Sequence, residues 1–496
     1  MTDISKSKYV TFCQCPKALW LKVNHPELEQ IDDQTQRIFE QGNVVGGLAM
    51  GLFGPFVEVK KIGANGNIDK AAMVAATQAE LDKGTANICE ASFFSDGLFC
   101  SVDILHKTDA GYEIYEVKST TDPNRHLKAY CQDVAFQKYV VEQCGVKVAR
   151  TFLVYLNKEY VRGKSLNTHR LFKIMNLDGQ AGYEYDRVDD NLKKAAKVLE
   201  GGEPECKLSE ACSKPYDCGF FHYCSRHLPQ PNVFDLYRPL GKWNLYGRGI
   251  VSFEDLKSEK LTAIQRMQVE CTLDCTERIS KDGICCFLNT LSYPLYFLDF
   301  ETTNPAVPAF EGTKPYQQVP FQYSLHYYDR EGGTLQHKDY IDLSGNDPRR
   351  GLAEQLCRDI PKNVCVLAYN SSFEGNCIKK LAEDFPDLHD YLMCIHDNLM
   401  DLLYPFRYGC CYLPAMGGSF SIKSVLPALF PNEPTLDYAN LSGSVHHGGQ
   451  AIEAYEKAIL MNPTDKKSVE KDLLEYCQLD TFAMVKVLEK LQDLAC

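Results

Sequence analysis

Three groups of residues have types and spacings that could carry chemistry. The first is Asp103, Glu116 and Lys118. Residues 111–119 (G-Y-E-I-Y-E-V-K-S) alternate and are rich in Tyr, Ile and Val, so they read as a strand with Glu116 and Lys118 on one face. Residues 98–105 read as the strand before it, joined by a polar turn, so Asp103 can share that face. Two carboxylates and a backbone carbonyl suit Mg²⁺, a hard cation that takes oxygen ligands. A lysine beside them can polarise an attacking water or neutralise a phosphate. Asp133 and Gln137 follow at the i,i+4 spacing of one helical turn. On the three residues alone, an exposed hairpin with a Glu–Lys pair is the simpler account.

The second group is Asp299, Glu301, Glu374, Tyr476 and Asp480. Residues 295–300 (L-Y-F-L-D-F) form a nearly continuous apolar run, as a strand buried on both faces requires. Asp299 and Glu301 close it on one face, and burying two anions is costly unless a cation compensates. Residues 364–369 (V-C-V-L-A-Y) read as a second buried strand, running through Asn370 and Phe373 into a helix that brings Glu374. Tyr476 and Asp480 are four apart on an amphipathic helix predicted over 469–491, again on one face. Four acids from two strands and two helices would hold two metals ~3.5–4 Å apart, as two-metal phosphodiester hydrolysis requires. Tyr476 would orient the water, since a phenol of pKa about 10 is a poor base at neutral pH.

The third group is Cys206, Cys212, Cys218 and Cys224, which recur every six residues. Thiolates this dense make a soft site that suits zinc or an iron–sulfur cluster. Purely local ligation by these four would suit structural zinc.

These groups need elements to hold them. A chain of 496 residues suggests roughly three domains at ~150 residues each. With 45% hydrophobic and 24% charged residues it is neither disordered nor fibrous. No apolar run approaches the ~18–20 residues of a membrane span, and the N-terminus lacks the pattern of a secretory signal. The expectation is a cytoplasmic protein with no membrane partner, its 22 cysteines reduced. A net charge of −13 weighs against passive nucleic-acid binding through a basic patch, but less against a nuclease, which concentrates carboxylates to hold metal. The texture divides into residues 1–230, a helical linker over 231–293 opened by Pro231 and Pro239, and an α/β region over 294–496.

Residues 1–230 resemble the RecB-type nucleases of the PD-(D/E)XK class, of the CRISPR-adaptation and AddB-like kind. The matching residues are Ser5-Lys6-Ser7, Cys15 to Trp20, Val102 to Leu105, Tyr115 to Ser119 and Gln137 to Tyr139. The resemblance implies a restriction-endonuclease-like core in which Asp103 and Glu116 bind metal, aided by the Val117 carbonyl. It makes Lys118 catalytic and puts Gln137 near the DNA. It also implies a [4Fe–4S] cluster on Cys15, Cys212, Cys218 and Cys224, with Cys206 spare and Cys13 a weaker rival to Cys15. One departure is Gly46, which stands where such nucleases often carry a metal-site histidine.

Residues 295–491 resemble the DEDDy branch of the DnaQ-like 3′–5′ exonucleases, which implies a ribonuclease-H-like fold. Asp299 and Glu301 match the first motif, Asn370, Phe373 and Glu374 the second, and Tyr476 and Asp480 the third. The family usually has Asp where this chain has Glu374. Residues 419–426 resemble the stretch between the last two motifs, with Lys423 as a phosphate contact. The entire chain resembles a bacterial family that fuses the two nucleases.

The expected function is therefore a cytoplasmic nuclease dependent on Mg²⁺ or Mn²⁺, with two nuclease sites and a [4Fe–4S] cluster (Zn²⁺ as alternative). The expected substrate is nucleic acid, DNA ahead of RNA, with single-stranded ends favoured. The alternatives are an RNA 3′-exonuclease with a degenerate first domain, or a non-catalytic nucleic-acid-binding scaffold.

Overall fold

The computed structural model describes residues 3–63 and 66–496, apart from the side chain of Gln34. It is a multi-domain α/β protein with mixed sheets. The chain forms two compact units: Met1–His227 with Pro305–Gln317, and Leu228–Asn304 with Gln318–Cys496.

The first unit is built on a seven-stranded sheet. Asn87–Ser95, Leu98–Thr108 and Gly111–Lys118 run as an antiparallel meander. Val148–Leu156 then pairs parallel to Gly111–Lys118, which requires a crossover, here the helix Leu127–Gln143. Phe172–Asn176 continues the sheet antiparallel. Alternation sorts the central strand between two cores. Ile114 packs with Val134, Phe136 and Val140 of the crossover helix and with Tyr9 and Phe12 of the helix Lys6–Gln14. Tyr115 packs on the other face with Val45, Val154 and Leu156. Glu116 and Lys118 share the parity of Ile114 and so turn toward the two helices.

The second unit has a five-stranded mixed sheet in the order Gln336–Ile341, Val319–Tyr328, Leu295–Thr303, Cys365–Ala368, Leu399–Asp401. The first three are antiparallel neighbours and the last three parallel ones. Leu295–Thr303 is central and buried on both faces. Leu295 and Phe297 pack with Leu473, Tyr476 and Ala483 of the long helix Pro463–Ala495. Tyr296, Leu298 and Phe300 pack oppositely, with Leu352, Leu356, Ile378 and Leu381. Asp299 and Glu301 continue the parity of Phe297, so they face the long helix.

The segment 231–293, expected to be a linker, is part of the second unit. Its helix Ala263–Leu273 starts at a capping box between Thr262 and Gln265. Cys271, Ile284 and Phe287 join the same core as Leu295 and Phe297. Periodicity marked the helices but could not say what their apolar faces meet. Among the described residues, no helix is long and apolar enough to cross a membrane.

Candidate functional site

In the second unit the acids converge as strand parity and helix spacing demand. Glu301, Glu374, Tyr476 and Asp480 are buried, and Asp299 is half-buried. One ligand atom each from Asp299, Glu301 and Cys477 lie within 4.8 Å of one another, a set able to hold a metal ion. The Cys477 thiol donates to Asp299 Oδ2 at 3.7 Å. Glu374 comes from the first turn of the helix Ser372–Asp384. It is 2% exposed, and its Oε2 has no hydrogen-bond partner among the described residues.

This packing of anions moves their protons. Burial, then Asp480, Glu374 and Glu301, raises the Asp299 carboxyl well above the usual carboxylate range. Burial and Asp480 do the same to Glu301. Burial pushes Glu374 up to about 8 and Asp480 up to about 6. Burial and the acids Asp480, Glu301 and Asp299 also raise the Tyr476 hydroxyl far above neutral pH, so it stays protonated and serves as a hydrogen-bond donor.

Lys423 is the cation that offsets Glu301 and Asp480. It comes from the helix Ile422–Leu429, and its Nζ donates to the Tyr476 oxygen at 3.2 Å and to the His446 carbonyl at 3.5 Å. It lies 4.9 Å from the Tyr438 ring centroid. The expected phosphate contact is thus engaged with the tyrosines beside the acids. Tyr438 donates to Asp480 Oδ1 at 2.6 Å.

A cleft of about 540 Å³ opens on Asp299 and Asp480 and is lined by Tyr237, Arg238, Tyr369, Asn370, Arg407 and Phe420, among others. Asn370 takes a left-handed φ of 68°, a conformation asparagine tolerates better than most residues. Its N–H donates to Asp401 Oδ1 at 2.9 Å, and its Oδ1 accepts from Arg407 at 3.0 Å. Asp401 also accepts the Leu403 N–H and pairs with Arg407 at 3.4 Å, so it shapes the cleft wall.

The first unit gathers Asp103, Glu116, Lys118 and Gln137 around two residues the sequence reading left out of the ligand set, Lys6 and Asp133. Lys118 donates to Glu116 at 2.6 Å and to Asp133 at 2.9 Å. Lys6 donates to both Glu116 oxygens, at 3.1 and 3.2 Å, and lies 3.9 Å from Asp103 and from Asp133. Asp103 accepts the Val117 N–H at 2.7 Å. Glu116 is 1% exposed, so an exposed Glu–Lys hairpin does not describe it. Burial, then Asp103 and Asp133, pushes its carboxyl up to about 7. Burial opposes charge on Lys6 and Lys118, but Asp133, Glu116 and Asp103 outweigh it and raise both. A divalent ion on Asp103 and Glu116 would meet the Lys6 ammonium there. Gln137, expected near the DNA, is fully buried and donates to Glu116 at 2.6 Å and Asp133 at 3.0 Å, so it orients these acids. The signal for Lys6 was the Ser5-Lys6-Ser7 stretch, which puts a cation at the head of a helix.

Also in the first unit, Cys15, Cys206, Cys212, Cys218 and Cys224 all line one small cavity with Lys17 and Phe220. Burial pushes the Cys15 thiol up to about 11 and raises Cys218 and Cys224. Cys13 does not line the cavity; it lies 3.8 Å from Asn191.

Residues 296–421 match the family described as "Domain of unknown function (DUF2779)". The matched stretch contains Asp299, Glu301, Asn370 and Glu374, but not Tyr476 or Asp480. Over 224 residues the chain is 25% identical to "Uncharacterized protein MG366" of Mycoplasma genitalium. That alignment covers 42% of this chain and 33% of the relative, so the chain spans about a third of the relative's length.

Proposed function

We propose that the second unit is a divalent-metal-dependent 3′–5′ exonuclease of the DnaQ-like DEDDy kind on a ribonuclease-H-like sheet, trimming single-stranded ends. The observation that carries the reading is the set of buried Glu301, Glu374 and Asp480 with half-buried Asp299, in which a carboxylate oxygen of Glu374 has no hydrogen-bond partner among the described residues. Buried anions persist only when protonated or compensated, and Lys423 supplies a single positive charge beside Glu301 and Asp480. The strand order, with the acid-bearing strand central, supports the fold. Bound Mg²⁺ or Mn²⁺ would supply an activated water and stabilise the leaving oxygen. The chain's own part is to hold the ions on Asp299, Glu301, Glu374 and Asp480. Tyr476, kept protonated, aims its O–H at the attacking water. Lys423, donating to the Tyr476 oxygen, fixes the direction in which that hydrogen points.

The first unit we read as a RecB-type PD-(D/E)XK nuclease core carrying a [4Fe–4S] cluster on Cys15, Cys212, Cys218 and Cys224. Its likeness to DNA-processing enzymes favours DNA. The Lys6 ammonium among Asp103, Glu116 and Asp133 favours a second reading, an RNA 3′-exonuclease whose first unit has lost metal chemistry. Incubating 5′-labelled single strands, deoxy and ribo, with Mn²⁺, Mg²⁺ or chelator tests both. A ladder shortening from the 3′ end in one sugar only names the substrate, and no shortening with either ion sinks the proposal.

Two further results are expected. Glu374→Gln should slow trimming by about 10²-fold, since a neutral amide replaces an anionic ligand, the scale on which removing one transition-state electrostatic group acts. Glu374→Asp should keep part of the rate, with Mn²⁺ tolerating the shorter reach better than Mg²⁺. Full activity in Glu374→Gln would remove it from the ligand set. For the cluster, anaerobically purified protein should be brown, absorbing near about 400 nm, and Cys218→Ser should bleach it. Colourless protein holding one zinc would assign the site to Zn²⁺ on the set that includes Cys206.

A further inference from the structure

We infer that the terminal nucleotide of a single strand is held by Tyr237 and Arg238, a base platform and a phosphate contact supplied from outside the acid-bearing sheet. The inference rests on the exonuclease reading and names the part of the cleft that reads the substrate. Tyr237 and Arg238 lie outside the matched stretch 296–421, in the segment expected to be a linker.

The Tyr237 ring lies 4.7 Å from that of Phe420, the planes at 49°, and both line the cleft that opens on Asp299 and Asp480. The wall is rigid. The Tyr237 N–H donates to Gln268 at 2.8 Å, and Gln265 donates to the Tyr237 carbonyl at 2.9 Å. Gln268 also donates to the Asp235 carbonyl at 2.7 Å, and both glutamines are buried. Opposite them Gly418, at φ +76°, comes so close that a Cβ would lie 2.1 Å from Gln268 Nε2 and 2.6 Å from the Asp235 oxygen. Only glycine fits at this approach to Gln268 and Asp235, two residues from the Phe420 ring that packs on Tyr237.

Arg238 holds φ +44°, where non-glycine residues are uncommon and which clusters at functional sites. Its guanidinium lies 5.3 Å from the Tyr237 ring centroid, and the residue is exposed. An aromatic face accepts any base, and a guanidinium matches a phosphate in a bidentate fork. A volume of about 540 Å³ falls within the usual range for small-ligand sites. The occupant this chemistry selects is an unpaired end, because only an unstacked base can turn its face to Tyr237.

The test uses the full chain and 5′-fluorescein oligothymidylate, in deoxy and ribo arms, titrated by anisotropy in Ca²⁺. Each strand ends either in a normal nucleotide or in an abasic residue. Wild-type protein should prefer the base-bearing end by about tenfold, within the range of one base–aromatic stack. Tyr237→Ala should lose that preference and Tyr237→Phe should keep it. Tyr237→Leu, which fills the space without a π face, replaces alanine if the wall loosens. Arg238→Gln should weaken both ends equally and lower the salt slope by about one charge. The inference is overturned if Tyr237→Ala or Tyr237→Leu discriminates the ends as wild type does in both sugar arms, or if Arg238→Gln binds unchanged. Failure of the exonuclease reading looks different: wild-type protein that does not shorten the base-bearing strand with Mn²⁺.

Discussion

Asp299→Asn is expected to slow 3′ trimming by about 10²–10³-fold and, at the same time, to raise the melting temperature of chelator-treated protein at pH 8. The two effects share one cause. The Asp299 carboxyl faces Asp480, Glu374 and Glu301, and burial plus these neighbours raises it well above its ordinary value. With metal bound, a missing anionic ligand removes electrostatic stabilisation of the transition state on the scale quoted. Without metal, the neutral amide removes the charge whose burial and repulsion raise this carboxyl, so the folded state gains stability. The melting temperature of the chelator-treated protein should therefore move upward. The gain should shrink toward pH 5, because a carboxyl raised above its ordinary value regains its proton in the folded chain as pH falls. Trimming assays and thermal melts at both pH values read it. Unaltered trimming would remove Asp299 from the active site, and equal destabilisation at both pH values would make it a structural residue.

The second large effect is stabilisation by a divalent ion that grows with pH. Glu374 and Asp480 ionise at about 8 and about 6 in the folded chain, against ~4.3 and ~3.9 for unfolded carboxylates. Between these limits the native state holds protons the unfolded state has released, so metal-free stability falls as pH rises. A divalent ion held by these acids would replace those protons. Its stabilisation should be small at pH 5 and largest near pH 8, reaching ~2.7 kcal/mol at a hundredfold excess over Kd. Glu116, pushed up to about 7, adds a fall of the same sign in the first unit. Asp299→Asn separates the two, since only the response of the second unit should drop with that change. A response to metal that is absent or independent of pH would count against a divalent site among these acids.

Much of the local structure was legible in the sequence. The alternation of residues 111–119 and the apolar run 295–300 correspond to strands Gly111–Lys118 and Leu295–Thr303. The spacing over 469–491 lies inside the helix Pro463–Ala495. Parity alone put Asp299 with Glu301 on one face, and the i,i+4 step put Tyr476 with Asp480. Local periodicity carries such information because it records which side of an element turns inward.

Only the tertiary structure decided which distant groups meet those faces. Cys477 reaches Asp299 because the long helix crosses the central strand there. Lys6 comes to Glu116 from 110 residues away and pairs with it. Gln137, expected near the DNA, is buried against Glu116, and Asp401 is held by Arg407 and backbone amides. Tyr237 and Arg238, from the segment expected to be a linker, line the cleft, and Gly418 comes close to Gln268 of the same segment. None of these pairings leaves a periodic trace, because each depends on how two faces are brought together in space, and chain spacing encodes only the faces.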